Sequence, residues 1–314
     1  MGRKLQHWSW NRARFRTIFA AILAVFSAGC GATHKTPARP PSSAPVRLLT
    51  ATKQQLVAAY NVQASAIHSV NASVSVKLIA GTAYSGIIQQ YHEIKGFILA
   101  QKPASIRVIG QAPIVGTNIF DMASDGETFA IYIPSKSKFV TGAASLQRPS
   151  AKPIENLRPQ HLTEAFFWDP VPQSTPVLFQ AGDESEARYY ILTILQNAPE
   201  EGSTTAASAK MGEDWQIARE VWFDRNDLSI ARLQIYGSDG SVRSDIRYDR
   251  WDNFGTVRFA RQIEITRPGE DYQLKITIEK LTANEPIPPE RFVLKQPPGT
   301  ELVRVGAETR EPKP

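Results

Sequence analysis

Apolar residues recur at two spacings along this chain, and the spacing changes near residue 71. The first set stands three or four positions apart, the spacing of one face of an α-helix. Its members are Leu56, Tyr60, Ala64, Ile67 and Val70. Thr52 with Gln55 three residues later has the form of a capping box, which marks a helix start. The pattern predicts an amphipathic helix from Thr52 to about Ser69.

From Asn71 onward, apolar and polar residues alternate in short runs, which is the period of β-strands. The runs extend from 72–78 to 272–281, and turn signals such as Ser124-Asp125-Gly126 separate them. Together they predict about ten or eleven strands. In 272–281 the apolar residues Tyr272, Leu274, Ile276 and Ile278 alternate with polar ones. We therefore expect an antiparallel sheet with one apolar and one solvated face.

The β pattern stops between Pro149 and Pro176, where a short helix is predicted to start near Pro159. Leu162, Ala165 and Phe166 lie on one side of that helix. The small and polar segment 199–214 is predicted to be a mobile hairpin loop with no chemistry assigned. The predicted fold class is α+β, mostly β: one strongly curved antiparallel sheet covered by an N-terminal and a mid-chain helix.

The N-terminus has the three regions of a secretory signal peptide. Five positive residues precede an apolar run from Ile18 to Phe26, and the small residues Ser27, Ala28 and Gly29 follow. Ser27 to Cys30 resembles the lipobox of bacterial lipoproteins, in which the cysteine is lipidated and becomes the mature N-terminus. The resemblance departs from the usual pattern at Ser27, where a branched aliphatic residue is common. The alternative is an ordinary cleaved signal peptide with an incidental cysteine.

These features divide the chain into a signal peptide (1–29), a Pro-rich tether (30–49), one folded domain (50–305) and a disordered tail (306–314). Five of the 36 basic residues and none of the 30 acidic residues lie in the signal peptide, so the mature chain is nearly neutral. This charge balance excludes an electrostatic nucleic-acid binder. We expect a monomer anchored through Cys30. Gly31 in place of Asp after Cys30 favours the outer membrane, with the domain facing the periplasm.

Several short motifs resemble the LolA/LolB-like periplasmic lipoprotein carriers over roughly 50–303. The first is Gly96-Phe97-Ile98-Leu99 before Lys102-Pro103, with Ile106-Arg107-Val108 in the next strand. The second motif is the turn 124–126 followed by the strand 129–134. The third lies near the C-terminal end of the domain and comprises 284–289, Phe292 and 297–299. The resemblance implies an unclosed β-barrel with helices as a lid, whose hollow accepts acyl chains of lipid or lipoprotein.

In the anchored members of that family, a loop after the Arg-containing strand presents an exposed apolar residue between Pro and Gly. Pro113-Ile114-Val115-Gly116 occupies this place here, with one residue more between Pro and Gly. The resemblance implies that Ile114 or Val115 has this role. The alternative is an ordinary hairpin loop whose apolar side chains are tucked under the sheet.

Apolar residues of the predicted strands and mid-chain helix form either a solid core or the lining of a lipid cavity. The candidates for the lining are Phe97, Leu99, Ile106, Val108, Phe120, Phe129, Ile131, Phe166, Ile263, Ile265, Leu274, Ile276 and Ile278.

Catalytic and metal-binding patterns were not found, so we expect neither an enzyme nor a cofactor or metal. Asp245, Asp249 and Asp252 resemble a carboxylate cluster, but Arg243 and Arg247 accompany the first two on the polar face of one strand. A solvated charge ladder is the favoured interpretation. The leading hypothesis is an anchored envelope lipoprotein that binds acyl chains. The alternative is an assembly lipoprotein whose partner is another envelope protein.

Overall fold

The computed structural model of the chain describes residues 47–81, 89–144, 157–185, 187–198 and 214–305. The signal peptide, the lipobox with Cys30, the tether up to residue 46 and the tail from 306 lie outside the described residues. Most of the predicted loop 199–214 does so too. Within the described part, no helix has both the length and the apolar character needed to cross a membrane.

Both predicted helices are present. Helix α1 spans Lys53–Ala66, and Thr52 and Gln55 exchange the two hydrogen bonds of a capping box, at 2.8 and 3.3 Å. It ends three residues earlier than predicted, because Ile67 has extended backbone and Ser69 already pairs with the neighbouring strand. Helix α2 spans Gln160–Phe166. Its side chains at Leu162, Ala165 and Phe166 are buried, as the sequence pattern predicted.

Fifteen strands of the described chain join into one curved sheet. Their bounds are β1 (Ser69–Ala80), β2 (Gln89–Gln90), β3 (Ile94–Gln101), β4 (Ser105–Gln111), β5 (Asn118–Ser124), β6 (Thr128–Ile133), β7 (Lys138–Ala143), β8 (Val177–Glu184), β9 (Ala187–Asn197), β10 (Trp215–Asp224), β11 (Ile230–Tyr236), β12 (Val242–Phe254), β13 (Val257–Arg267), β14 (Tyr272–Ala283) and β15 (Glu301–Val305). The strand order is β15-β7-β6-β5-β4-β3-β1-β14-β13-β12-β11-β10-β9-β8, and β2 pairs with β1.

The sheet is mostly β-meander, and its two end strands, β15 and β8, leave it unclosed. The predicted number of ten or eleven strands was too low, and no predicted run corresponds to β2, β7 or β15. The prediction of a purely antiparallel sheet also needs correction, because β15 pairs with β7 in parallel. This pairing is parallel because the chain crosses from β14 to the far edge of the sheet before β15 begins.

One face of the sheet, named here the inner face, forms the main core together with the apolar side chains of α1 and α2. On β14, Tyr272, Leu274, Ile276 and Ile278 lie on this face and are buried, whereas Lys275, Thr277 and Glu279 between them are exposed. The predicted alternation of apolar and solvated faces is therefore confirmed for this strand. Rings from the two sides of the core meet, since Phe166 of α2 stacks on Phe259 of β13 at 5.7 Å.

Residues 284–300, named here the C-terminal crossing, pass over the opposite, outer face. At the start, Ser69 donates its hydroxyl to the carbonyl of Glu285 at 2.7 Å. Farther along, Arg107 of β4 donates to the carbonyl of Arg291 at 3.1 Å. The crossing encloses a half-open space of about 180 Å³, lined by residues that include Leu99, Pro286 and Arg291. It thus connects β14 to β15 without entering the inner face.

Candidate functional site

The inner face collects most of the candidate lining residues in one surface. Eight of them belong to the main core and are almost fully buried: Ile106, Val108, Phe166, Ile263, Ile265, Leu274, Ile276 and Ile278. Phe120 and Ile131 are half-buried and pack against that core. Phe129 is buried on the same side of β6 as Ile131, beneath Arg158, whose guanidinium carbon is 5.0 Å from the ring centroid. This surface is apolar over strands β4 to β6, β13 and β14.

Phe97 and Leu99 do not lie on this surface. Their neighbour Ile98 is fully buried on the inner face, and side chains alternate along a strand, so both residues point to the outer face. Phe97 is 43% exposed there, and Leu99 is buried under the C-terminal crossing. The prediction that these two residues line the same surface is wrong. Positions 97–100 are apolar on both faces, so the sequence had no alternation from which to choose.

Aromatic side chains hold the C-terminal end of α2 on the inner face. Trp168 donates its indole N–H to the hydroxyl of Tyr248 at 3.0 Å, and that hydroxyl donates to the carbonyl of Ala165 at 3.0 Å. Burial raises the pKa of Tyr248 far above its ordinary value, so the hydroxyl remains a donor. Trp168 also stacks on Tyr60 of α1, with ring centroids 6.0 Å apart. Both helices are therefore tied together over the inner face.

A polar network around Glu164 also holds α2 on the sheet. Glu164 accepts hydrogen bonds from the hydroxyl of Ser244 at 2.6 Å and from Arg267 at 3.2 Å. Arg267 is only 3% exposed and also pairs with Glu270 at 2.7 Å. Because these charges are mutually compensated, the network positions α2 on β12 and β13 and leaves little charge for a ligand.

Two polar residues of the inner face were missed by the sequence analysis, Tyr60 on α1 and Arg219 on β10. Arg219 lies with its guanidinium carbon 5.5 Å from the centroid of the Tyr60 ring. Tyr60 had been assigned to the apolar stripe of the helix. Arg219 lies on the same side of β10 as the buried Val221 and Phe223, so alternation along the strand points it inward, and a charged residue at this position was overlooked.

The loop between β4 and β5 presents two bare apolar side chains. Ile114 is 96% exposed and Val115 is 70% exposed. The loop is closed by hydrogen bonds from Ala112 N to Thr117 O at 2.9 Å and from Gly116 N to Ala112 O at 3.0 Å. Gly116 has a positive φ of 66°, which glycine adopts without strain. The alternative in which these side chains are tucked under the sheet is therefore wrong.

The aspartate cluster on β12 is divided among different cations. Asp245 pairs with Arg232 of β11 at 2.7 and 2.5 Å, and Asp252 pairs with Arg261 of β13. The arginines expected as partners, Arg243 and Arg247, bind Glu164 and Glu184 instead. A carboxylate pair for acid-base catalysis does not form at these positions. Among the described residues, no group of three or more His, Cys, Asp and Glu side chains could hold a metal ion.

Comparison of the sequence with protein-family models and with curated proteins finds no match. Among solved structures, the chain is similar to a LolA superfamily protein from Nitrosomonas europaea, at 11% identity and a TM-score of 0.44, covering 78% of this chain and 99% of that one. It is also similar to a DUF1329 family protein from Desulfovibrio piger, at 14% identity and a TM-score of 0.46, covering 76% and 94%. A putative outer membrane lipoprotein-sorting protein domain from Vibrio parahaemolyticus is 10% identical with a TM-score of 0.43, covering 75% and 94%.

Proposed function

We propose that this protein is a lipid-anchored protein of the bacterial envelope that accommodates acyl chains between the inner face of its sheet and helices α1 and α2. The anchor would be the lipidated Cys30, and the domain would face the periplasm from the outer membrane. The cargo would be a lipid or the acyl chains of another lipoprotein. Transfer to or from a membrane would use Ile114 and Val115.

The observation that carries this proposal is the asymmetry of the sheet. Its inner face is a broad apolar surface that, in the described part of the chain, is covered by two helices of 14 and seven residues. A helix that is attached to the sheet through side chains, without a shared ladder of backbone hydrogen bonds, can move as one unit. Apolar burial gains about 25 cal/mol per Å², so an acyl chain replacing the helix side chains would be bound without a precise set of polar contacts.

Helix α2 is the element expected to admit the ligand. It is half as long as α1, and side-chain bonds from Ser244, Arg267 and Tyr248 hold it to the sheet. Entry of an acyl chain would require Phe166 to leave its stack on Phe259. Weakening one of the polar bonds should therefore speed ligand entry.

Binding of cis-parinaric acid, a fluorescent fatty acid, to the delipidated full chain tests the proposal. We expect saturable binding of one equivalent. Ser244→Ala removes the hydrogen bond to Glu164 and the one accepted from Arg267, at a net cost of at least about 1 kcal/mol, and should accelerate association at least about fivefold. Ser73→Ala on the solvated face of β1 is the matched control and should leave the rate unchanged. A full chain that folds but shows no saturable binding contradicts the proposal.

A second candidate function is supported by the near-complete burial of the inner-face residues by the protein's own side chains. In an assembly lipoprotein, this packing would be permanent, and the exposed Ile114 and Val115 would contact another envelope protein. The absence of saturable fatty-acid binding, together with capture of a defined envelope partner that depends on Ile114, favours this function.

A further inference from the structure

Arg219 of β10 faces the inner side of the sheet and directly follows a β-bulge. Ile217 pairs with Leu195 of β9, but Arg219 pairs with Ile194, so Ala218 is the extra residue between them. Ile194 is buried in the main core, and Ile235, the partner of Arg219 on β11, packs against that core. Arg219 is in phase with Val221 and Phe223, which are buried in the same core, so the alternation of side chains along the strand directs it inward. β-Bulges are frequent next to functional sites.

Arg219 carries a positive charge at a partly exposed position of the inner face, near Asp169. One terminal nitrogen donates to the backbone carbonyl of Asp169 at 2.8 Å. No carboxylate of the described residues lies within ion-pair distance of this guanidinium, whereas Arg267, the inner-face arginine on β13, pairs with both Glu164 and Glu270. The Nε of Arg219 is buried and has no hydrogen-bond partner in the described structure.

Tyr60 contributes a second donor beside Arg219. The residue is 1% exposed, and its hydroxyl, like the Nε of Arg219, is buried without a hydrogen-bond partner. Burial raises the pKa of Tyr60 to about 12, Arg219 lowers it by a smaller amount and the Asp169 carboxylate raises it, so the hydroxyl is protonated at neutral pH. A buried donor without an acceptor costs free energy, about 1–3 kcal/mol. Two such donors on neighbouring residues, one of them charged, define a place suited to an anionic oxygen acceptor.

We infer that Tyr60 and Arg219 form a head-group subsite at one end of the proposed acyl site, which selects acyl ligands with an anionic oxygen head group. This inference rests on the proposed function. The carboxylate of a free fatty acid and the phosphate of a phospholipid share the required chemistry. Either would accept hydrogen bonds from the Tyr60 hydroxyl and the Arg219 guanidinium while its acyl chain contacts the inner face.

The test compares cis-parinaric acid with its methyl ester, which has the same chain and no charge, on the full chain. We expect the acid to bind at least about tenfold more tightly than the ester, because a hydrogen bond to a charged group contributes about 1.5–3 kcal/mol. Arg219→Met keeps the length of the side chain and should reduce the acid-to-ester ratio to near one while the ester affinity is retained. Arg188→Met, a change of an exposed arginine on β9, is the matched control.

Tyr60→Phe tests the second donor independently of charge. It should raise the unfolding temperature of the ligand-free chain, because it removes a buried hydroxyl without a partner, and should lower acid affinity several-fold. Displacement of the probe by lysophosphatidic acid or by palmitate then distinguishes a phosphate from a carboxylate source. Lysophosphatidic acid and palmitate would each accept hydrogen bonds from Tyr60 and Arg219.

The outcomes separate the two proposals. An acid-to-ester ratio that Arg219→Met leaves unchanged overturns the head-group subsite, but the acyl site itself stands. Equal affinities of the acid and the ester for the unaltered chain would also overturn the head-group subsite and leave the acyl site standing. If neither probe binds, the proposed function fails and the subsite fails with it.

Discussion

The Nδ1 atom of His161 on α2 lies 2.5 Å from the hydroxyl oxygen of Tyr272, the first residue of β14, and both side chains are buried. Arg267, Arg158 and Arg243 surround the imidazole, and Glu164 and Glu270 complete the network. The contact places a titratable group in the attachment of α2 to the sheet. It therefore makes the stability of that attachment dependent on pH.

Burial lowers the pKa of His161 well below its ordinary value of 6.5, and the three arginines lower it further. The unfolded chain binds a proton more readily than the folded one, so the contribution of neutral His161 is fully present above pH 6.5 and is lost as the pH falls toward the folded pKa. The loss amounts to about 1.4 kcal/mol for each pH unit between the two pKa values. Urea unfolding from about pH 7.5 to about pH 5 should show a steeper loss for the unaltered chain than for His161→Gln. Equal slopes for both proteins contradict this account.

Gly96 on β3 is predicted to be intolerant of a side chain. A Cβ at this position would lie 2.9 Å from the backbone carbonyl oxygen of Ile109 on β4, so the two strands would have to separate. Gly96→Ala should lower the free energy of unfolding by about 1–3 kcal/mol. Gly269→Ala is the control, because a Cβ there has no neighbour within 4 Å. Denaturant midpoints that change equally in both variants would exclude the steric explanation.

Arg107 is expected to stabilise the C-terminal crossing through charge. It forms two hydrogen bonds with Asp121, at 2.9 and 2.7 Å, and donates a third to the carbonyl of Arg291. Asp121 is buried, so Arg107→Met leaves an unpaired carboxylate and should cost about 3 kcal/mol in the free energy of unfolding.

The matched control for Arg107 is Arg258→Met, which removes an exposed pair with Asp227 and should cost less than about 1 kcal/mol. Thermal or denaturant unfolding measures both. A small effect of Arg107→Met would show that the crossing is held by its apolar contacts alone.

Ile114 and Val115 are predicted to determine association with membranes. In a Cys30→Ser background, which removes the proposed anchor, Ile114→Asp with Val115→Asp should weaken binding to phosphatidylethanolamine–phosphatidylglycerol vesicles at least about tenfold, since each apolar side chain gains about 1.5–3 kcal/mol on burial. The unfolding temperature should not change, because both side chains are exposed. Val62→Asp on α1, which is 72% exposed, is the control for a surface charge. Equal vesicle binding by all three proteins contradicts the assigned role.

The sequence predicts the helices and the long central strands because their patterns are local. Thr52 and Gln55 are three residues apart, and the alternation in β14 is complete within ten residues. By contrast, β15 was missed because it is stabilised by pairing with β7, about 160 residues earlier in the chain. Propensity alone gives no signal for such a pairing.

The inner-face residues were predictable where one face of a strand is apolar and the other polar. Phe97 and Leu99 were misplaced because β3 is apolar on both sides, one facing the core and the other partly covered by the C-terminal crossing. Arg219 was missed for a different reason. It is a charged residue at a position of β10 that is in phase with the buried Val221 and Phe223, where the hydrophobic pattern predicts an apolar side chain.

The central claim, that acyl chains bind at the inner face, is tested most directly by photo-crosslinking the full chain with a diazirine fatty acid and locating the label by mass spectrometry. The account predicts saturable labelling of inner-face residues such as Phe166, Ile263 and Ile276, which excess palmitate suppresses. Labelling confined to outer-face residues such as Phe97, or labelling that palmitate does not suppress, would contradict it.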